Sequence, residues 1–124
     1  MNLSIDQLTT DRKWRASLGL DKKRFGILLK RFEKSYQTVF GKSLEERLSS
    51  NPKGDSSIRT YEELLFFTLF SLKSGLTYDL LGLVTGMEGS SAQRYQQVGI
   101  KVLREALRVD GHLPRRSFSS VKAF

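Results

Sequence analysis

The side chains best suited to chemistry lie at the start of a helix that hydrophobic periodicity predicts over residues 90–109. A glutamine amide can pair with adenine through two hydrogen bonds, and an arginine guanidinium can pair with guanine in the same way. Serine can bind a phosphate or a base edge. We expect the outward-facing residues of this helix to be Ser90, Ser91, Gln93, Arg94, Gln97 and Lys101. The pattern predicts a surface that binds double-stranded DNA.

A second helix is predicted directly before this one, over Tyr78–Thr85, with a turn over residues 86–89. Gly82 is small enough to let the two helices approach closely, and Gly86 can supply the positive φ that the turn needs. We expect Leu81, Met87, Ala92 and Tyr95 to pack between the helices. A helix-turn-helix of this kind places its second helix in the DNA major groove. A plain helical hairpin with a polar outer face remains the alternative interpretation.

A second group of cations lies near the N-terminus. Arg12 and Lys13 precede Trp14 in a short predicted helix, and they are candidates for contact with DNA phosphates. The alternative is that Trp14 anchors the core and that the charges around it form a solvated rim.

Charge and composition limit the function classes. The chain has 124 residues, a net charge of +8 and no cysteine. Residues 1–50 have a net charge of +5, residues 51–89 of −2, and residues 90–124 of +5. Basic surfaces attract phosphate backbones. Without cysteine there are no disulfides or thiolate metal sites. We see neither a signal peptide nor a membrane-spanning run, and we expect a cytoplasmic protein.

The periodicity predicts an all-α fold, a compact bundle of five to six helices that contains the helix-turn-helix. Residues 1–124 form one domain in this interpretation. Its parts are N-terminal helices at 1–50, a loop at 51–59, the helix-turn-helix core at 60–109 and a tail at 110–124. The helix predicted over Tyr61–Ser74 is apolar on most sides, so we expect it at the centre of the bundle.

Signals for an enzyme are weak. His112 has no neighbouring ligand residue, so no metal site is predicted. Glu45, Glu46, Glu62 and Glu63 lie at helix starts, where the helix dipole explains them. No phosphate-binding glycine loop occurs. We therefore predict no catalytic residue, no cofactor, and no nuclease or strand-transfer activity.

Several motifs carry a family resemblance. A lysine, Gly-Leu-Thr-Tyr, a turn glycine and an Arg-Tyr pair follow one another at Lys73, Gly75, Leu76, Thr77, Tyr78, Gly86, Met87, Arg94 and Tyr95. Residues 60–107 thereby resemble the helix-turn-helix segment of bacterial insertion-sequence transposases of the DDE superfamily. Leu18-Gly19-Leu20 with Phe25 resembles the opening of that family, and residues 113–118 resemble its linker.

The resemblance implies the DNA-binding part of such a transposase, as a first-reading-frame product or a truncated copy without the catalytic domain. It would bind the terminal repeats of the element in the bacterial cytoplasm, in association with the nucleoid. A second copy of the chain, or a catalytic transposase subunit, would be its protein partner. The alternatives are a helix-turn-helix transcriptional regulator and a helical protein-interaction module.

Overall fold

Six α-helices make up most of residues 3–50 and 57–109, the part of the chain that the computed structural model describes. They are α1 (Asp11–Leu18), α2 (Lys22–Phe40), α3 (Leu44–Ser50), α4 (Tyr61–Ser74), α5 (Tyr78–Thr85) and α6 (Gly89–Val109). Residues 3–50 and 57–109 contain no strand. The predicted all-α fold is confirmed. The predicted tail, and most of the predicted loop, lie outside the described residues.

Local capping explains why the helices begin and end where they do. At the starts of α1, α2, α4 and α5, the side chain before the helix accepts a hydrogen bond from the backbone N–H three residues later; these caps are Thr10, Asp21, Thr60 and Thr77. The same four helices end at a glycine in the left-handed region. Such caps satisfy backbone groups that the helix itself leaves unpaired.

Helix α4 lies at the centre of the bundle, as predicted. Leu64, Leu65, Phe66 and Phe67 are all buried in it, and α1, α2 and α6 all pack against it. A helix that is buried on several sides cannot present a polar face, which is why its sequence is apolar almost throughout.

Aromatic contacts join the N-terminal helices to each other and to α4. Trp14 of α1 meets Phe25 of α2 edge-on, with 5.2 Å between ring centroids. Tyr36 of α2 meets Tyr61 at the start of α4 in the same way, at 5.4 Å. Trp14 is therefore a core residue, while the charged side chains around it are exposed.

The sequence did not predict the structure before α1. Ile5–Gln7 forms a short 3-10 turn, and the N–H of Leu3 donates to the carbonyl of Val84 at 3.0 Å. The N-terminal segment thus contacts the end of α5, which is distant in sequence.

Candidate nucleic-acid interface

Helices α5 and α6 pack against each other through a glycine, as the sequence predicted. A Cβ atom on Gly82 would overlap the carbonyl oxygen of Met87 and would lie 3.2 Å from the nitrogen of Gly89. The Met87 N–H also donates to the Gly82 carbonyl at 2.8 Å. Gly86, in the turn, has a φ of 79°. The two glycines let the chain reverse within a few residues and bring the start of α6 against α5.

The first turn of α6 contains a further close contact. The helix begins at Gly89, one residue earlier than predicted. A Cβ atom on Gly89 would lie 2.5 Å from the carboxylate oxygen Oδ1 of Asp79. This carboxylate therefore lies beside the N-terminus of α6, where a negative charge is favourable for the helix dipole.

Most of the predicted contact residues share the outer face of α6. Ser90, Gln93, Arg94, Gln97 and Lys101 are exposed, and Arg104 and Arg108 continue the row toward the end of the helix. Successive spacings of three and four residues keep these positions on one side of a helix. The start of α6 thus presents hydroxyl, amide and guanidinium groups, and its later turns present cations.

Ser91 does not belong to this face, and its predicted outward orientation is wrong. Only 7% of Ser91 is exposed. Its position aligns with Tyr95, Val98 and Val102 on the inner side of α6. A serine is small enough to fit beside a neighbouring helix there, so its polarity alone was misleading.

The four residues predicted to pack between α5 and α6 are buried or half-buried, but one of them, Tyr95, contacts α4. Leu81 and Ala92 are fully buried, while Met87 and Tyr95 are half-buried. The Tyr95 ring meets Phe67 of α4 edge-on, with 6.3 Å between centroids. Tyr95 therefore packs α6 against the central helix.

A polar contact that the sequence did not predict connects three helices. The Tyr78 hydroxyl donates to Oε1 of Gln96 at 2.8 Å, and Nε2 of Gln96 donates to Oγ of Ser71 at 3.2 Å. Gln93 and Gln97 lie on the outer face of α6, whereas Gln96, which lies between them in sequence, is half-buried and points inward. Its alignment with Ala92 and Leu103 on the inner side was the available signal.

Arg12 and Lys13 are exposed, but they lie on a different part of the molecule. They belong to α1, which packs on α4, and the Lys13 Nζ donates to the Thr9 hydroxyl at 3.2 Å. The structure does not bring them into the α5–α6 unit. They form a separate basic surface.

One ion pair modifies the charge near the end of α6. Arg108 and Glu105 are linked by two hydrogen bonds, of 2.7 and 3.0 Å. The hydrogen bond from Arg108 lowers the pKa of Glu105, and the same bond raises the pKa of Arg108. Both groups are charged at neutral pH, so this pair adds little net charge to the row.

Most of the exposed large apolar side chains among the described residues lie on α5. Leu83 is 72% exposed and Leu80 is 48% exposed. Leu83 also lines a shallow cleft with Gly82, Gly86, Met87, Glu88 and Ser57. This surface differs in character from the polar outer face of α6.

Within residues 3–50 and 57–109, no three His, Cys, Asp or Glu side chains cluster in a way that could hold a metal ion. His112 lies outside these residues. No helix in the same part of the chain is long and apolar enough to cross a membrane.

Comparison with known proteins gives no match to a family model, to a curated protein or to a solved structure.

Proposed function

We propose that this chain binds double-stranded DNA and places the start of α6 in the major groove. The observation that carries this proposal is the exposed row of Ser90, Gln93, Arg94, Gln97 and Lys101. The row begins at a helix start that Gly82 and Gly86 hold against α5. The groove of B-DNA admits an α-helix, and residues in the first turns of that helix reach base edges.

The side chains divide by chemistry. Gln93 and Arg94 lie in the first turns and have amide and guanidinium groups that can form paired hydrogen bonds with bases. Lys101 lies about two turns later, where a flexible cation suits the phosphate backbone. Arg12 and Lys13, on α1, add affinity that does not depend on sequence.

The resemblance to insertion-sequence transposases supplies the biological setting of the proposal. The DNA site is a terminal repeat of a mobile element, and the chain binds it in the bacterial cytoplasm without cutting it. A second copy or a catalytic transposase subunit is the protein partner. A transcriptional regulator would use the same surface on a promoter, so the site that the protein selects separates these two roles.

Selection from a pool of random duplexes tests the proposal. The pool should converge on a common sequence, and affinity for any duplex should fall steeply between 50 and 200 mM salt, by about 10³-fold if six phosphates are contacted. If the pool stays random while affinity still depends on salt, the protein binds DNA without sequence preference. No binding at low salt would contradict the proposal.

Leu80 and Leu83 favour a second candidate, a helical protein-interaction module. Large apolar side chains this exposed can mark a contact with another protein. The substitution Leu83→Ser should then abolish the binding of a protein partner and leave DNA affinity unchanged. Ile27→Ser is the control, since Ile27 is, like Leu83, an exposed aliphatic side chain but lies on α2. An apolar contact should not weaken as salt rises, whereas DNA binding should.

A further inference from the structure

A chain of hydrogen bonds runs from the surface of α5 to the centre of the bundle through a single amide. The Tyr78 hydroxyl donates to Oε1 of Gln96, and the Gln96 Nε2 donates to Oγ of Ser71. The Ser71 hydroxyl in turn donates to the carbonyl of Thr68 at 2.7 Å. Three helices, α5, α6 and α4, are connected in this order.

Each group in this series of hydrogen bonds donates to the next, from Tyr78 through Gln96 and Ser71 to Thr68. Because the Ser71 proton is already directed to the Thr68 carbonyl, the Ser71 oxygen has to accept, and only the nitrogen side of the Gln96 amide can donate to it. The oxygen side of the amide then has to face Tyr78, whose hydroxyl can donate. The orientation of Gln96 is therefore fixed from both ends. A network whose donors and acceptors are matched in this way favours one arrangement of its helices.

This network joins α5 to α6 away from the turn, in addition to the contact of Asp79 with Gly89 and the packing of Leu81 and Ala92. Nearest the turn is Gly82, which contacts Met87 and the start of α6. Tyr78 lies four residues before it, about 6 Å along the α5 axis. Gln96 lies seven residues after Gly89, about 10 Å along α6. A contact farther from the turn restricts the rotation of one helix against the other more than a contact at the turn does.

We propose that Gln96 is a positioning residue that sets the angle of α6 and thereby the bases that Gln93, Arg94 and Gln97 can reach. It acts through Tyr78 and Ser71 and does not itself contact DNA. This inference rests on the proposed function, because the angle matters for recognition only if α6 enters the groove. Base contacts depend on the angle of the helix, while contacts with phosphates tolerate small rotations.

The first arm of the test needs no DNA. Residual dipolar couplings of the α5 and α6 amides report the angle between the two helices in the full chain. Tyr78→Phe and Gln96→Leu should each change this angle. Tyr61→Phe is the matched control, because it also removes a bonded tyrosine hydroxyl, the acceptor for the Leu44 N–H at 3.0 Å, but between α3 and α4. An unchanged angle in both test variants would overturn the inference.

The second arm measures discrimination, the ratio of Kd for random duplex to Kd for the selected duplex. Tyr78→Phe should lower this ratio about fivefold, which corresponds to the loss of one ordinary hydrogen bond. Gln96→Leu removes both hydrogen bonds of the amide and should lower the ratio at least as much. Affinity for random duplex should not change. The double variant should equal Gln96→Leu alone, because Tyr78 acts only through Gln96. Tyr61→Phe should lower the melting temperature without changing the ratio.

The outcomes separate the two proposals. A wild-type chain that shows no preference among duplexes overturns the proposed function, and the role of Gln96 in recognition with it. A wild-type chain that discriminates, with variants that discriminate equally well, overturns only the inference. A ratio that falls in proportion to the melting temperature in all variants, Tyr61→Phe included, would mean that Gln96 contributes only to stability.

Discussion

Gly99 of α6 lies directly against Thr68 of α4, so closely that a Cβ atom on the glycine would overlap the threonine Oγ1. The Thr68 hydroxyl is held in place by its hydrogen bond to the Leu64 carbonyl, at 2.7 Å. Thr68 is fully buried. The threonine side chain therefore has little freedom to move aside, and the glycine is what lets α6 approach the central helix.

Gly99→Ala should destabilise the fold, because the added methyl group forces α4 and α6 apart or displaces Thr68. We expect a loss of about 1–3 kcal/mol, typical of overpacked cores. Gly26→Ala is the matched control: Gly26 is also inside a helix, but apart from its chain neighbours and the nearby backbone of α2 no atom lies within 4 Å of its Cβ position. That substitution should stabilise the protein by about 0.5–1 kcal/mol. Urea unfolding of both variants measures the difference, and equal effects would contradict the close contact.

Gly82→Ala should be at least as damaging, and its effect should be concentrated on the helix-turn-helix. The atom that its Cβ would meet is a backbone oxygen, that of Met87, which cannot rotate away as a side chain can. Relative to the wild-type chain, we expect amide hydrogen exchange in Gly82→Ala to accelerate more in α5 and in the first turns of α6 than in α2. Uniform exchange throughout the molecule would argue against a special role for this contact.

The sequence was sufficient to predict the helices because their ends are encoded locally. Thr60 and Gly75, for example, cap the two ends of α4, and each can be recognised from its neighbours. The bend at Gly86 and the close approach at Gly82 were predictable for the same reason. Such signals depend on a few adjacent residues, so they do not require knowledge of the tertiary structure.

The parts that could not be predicted depend on contacts between distant segments. Ser91 was expected outside because it is polar, yet it is small enough to be buried. Gln96 was overlooked because its partners, Tyr78 and Ser71, lie 18 and 25 residues away. The contact of Leu3 with Val84 joins the N-terminal segment to α5, which is far away in sequence. No local pattern identifies such pairs.

Arg94→Ala should reduce affinity for the selected duplex by about 1–3 kcal/mol and flatten the preference among sequences. Arg12→Ala should weaken binding to all sequences alike and reduce the salt dependence, since a phosphate contact carries no sequence information. Titrations of both variants with selected and random duplexes measure these effects. An equal loss on both duplexes in Arg94→Ala would make Arg94 a phosphate contact.

Stability should also depend on Tyr36 at alkaline pH. Burial raises the pKa of Tyr36 above the ordinary value of 10.0, although the hydrogen bond from Arg47 partly opposes this. The unfolded chain then loses this proton at a lower pH than the folded chain. The contribution of Tyr36 is complete below pH 10 and decreases as pH rises from there through the folded pKa. Unfolding free energies from pH 8 to 11 should show this decrease, and Tyr36→Phe should make it shallower.

The placement of α6 in the major groove is tested most directly by NMR. The changes in backbone amide chemical shift are mapped when the selected duplex is added to the isotope-labelled protein. We expect the largest changes in α6 between Gly89 and Lys101, with smaller ones near Arg12 and Lys13. Leu80 and Leu83 should change little. Changes centred on those two leucines, with the start of α6 unaffected, would contradict the placement of α6 in the major groove.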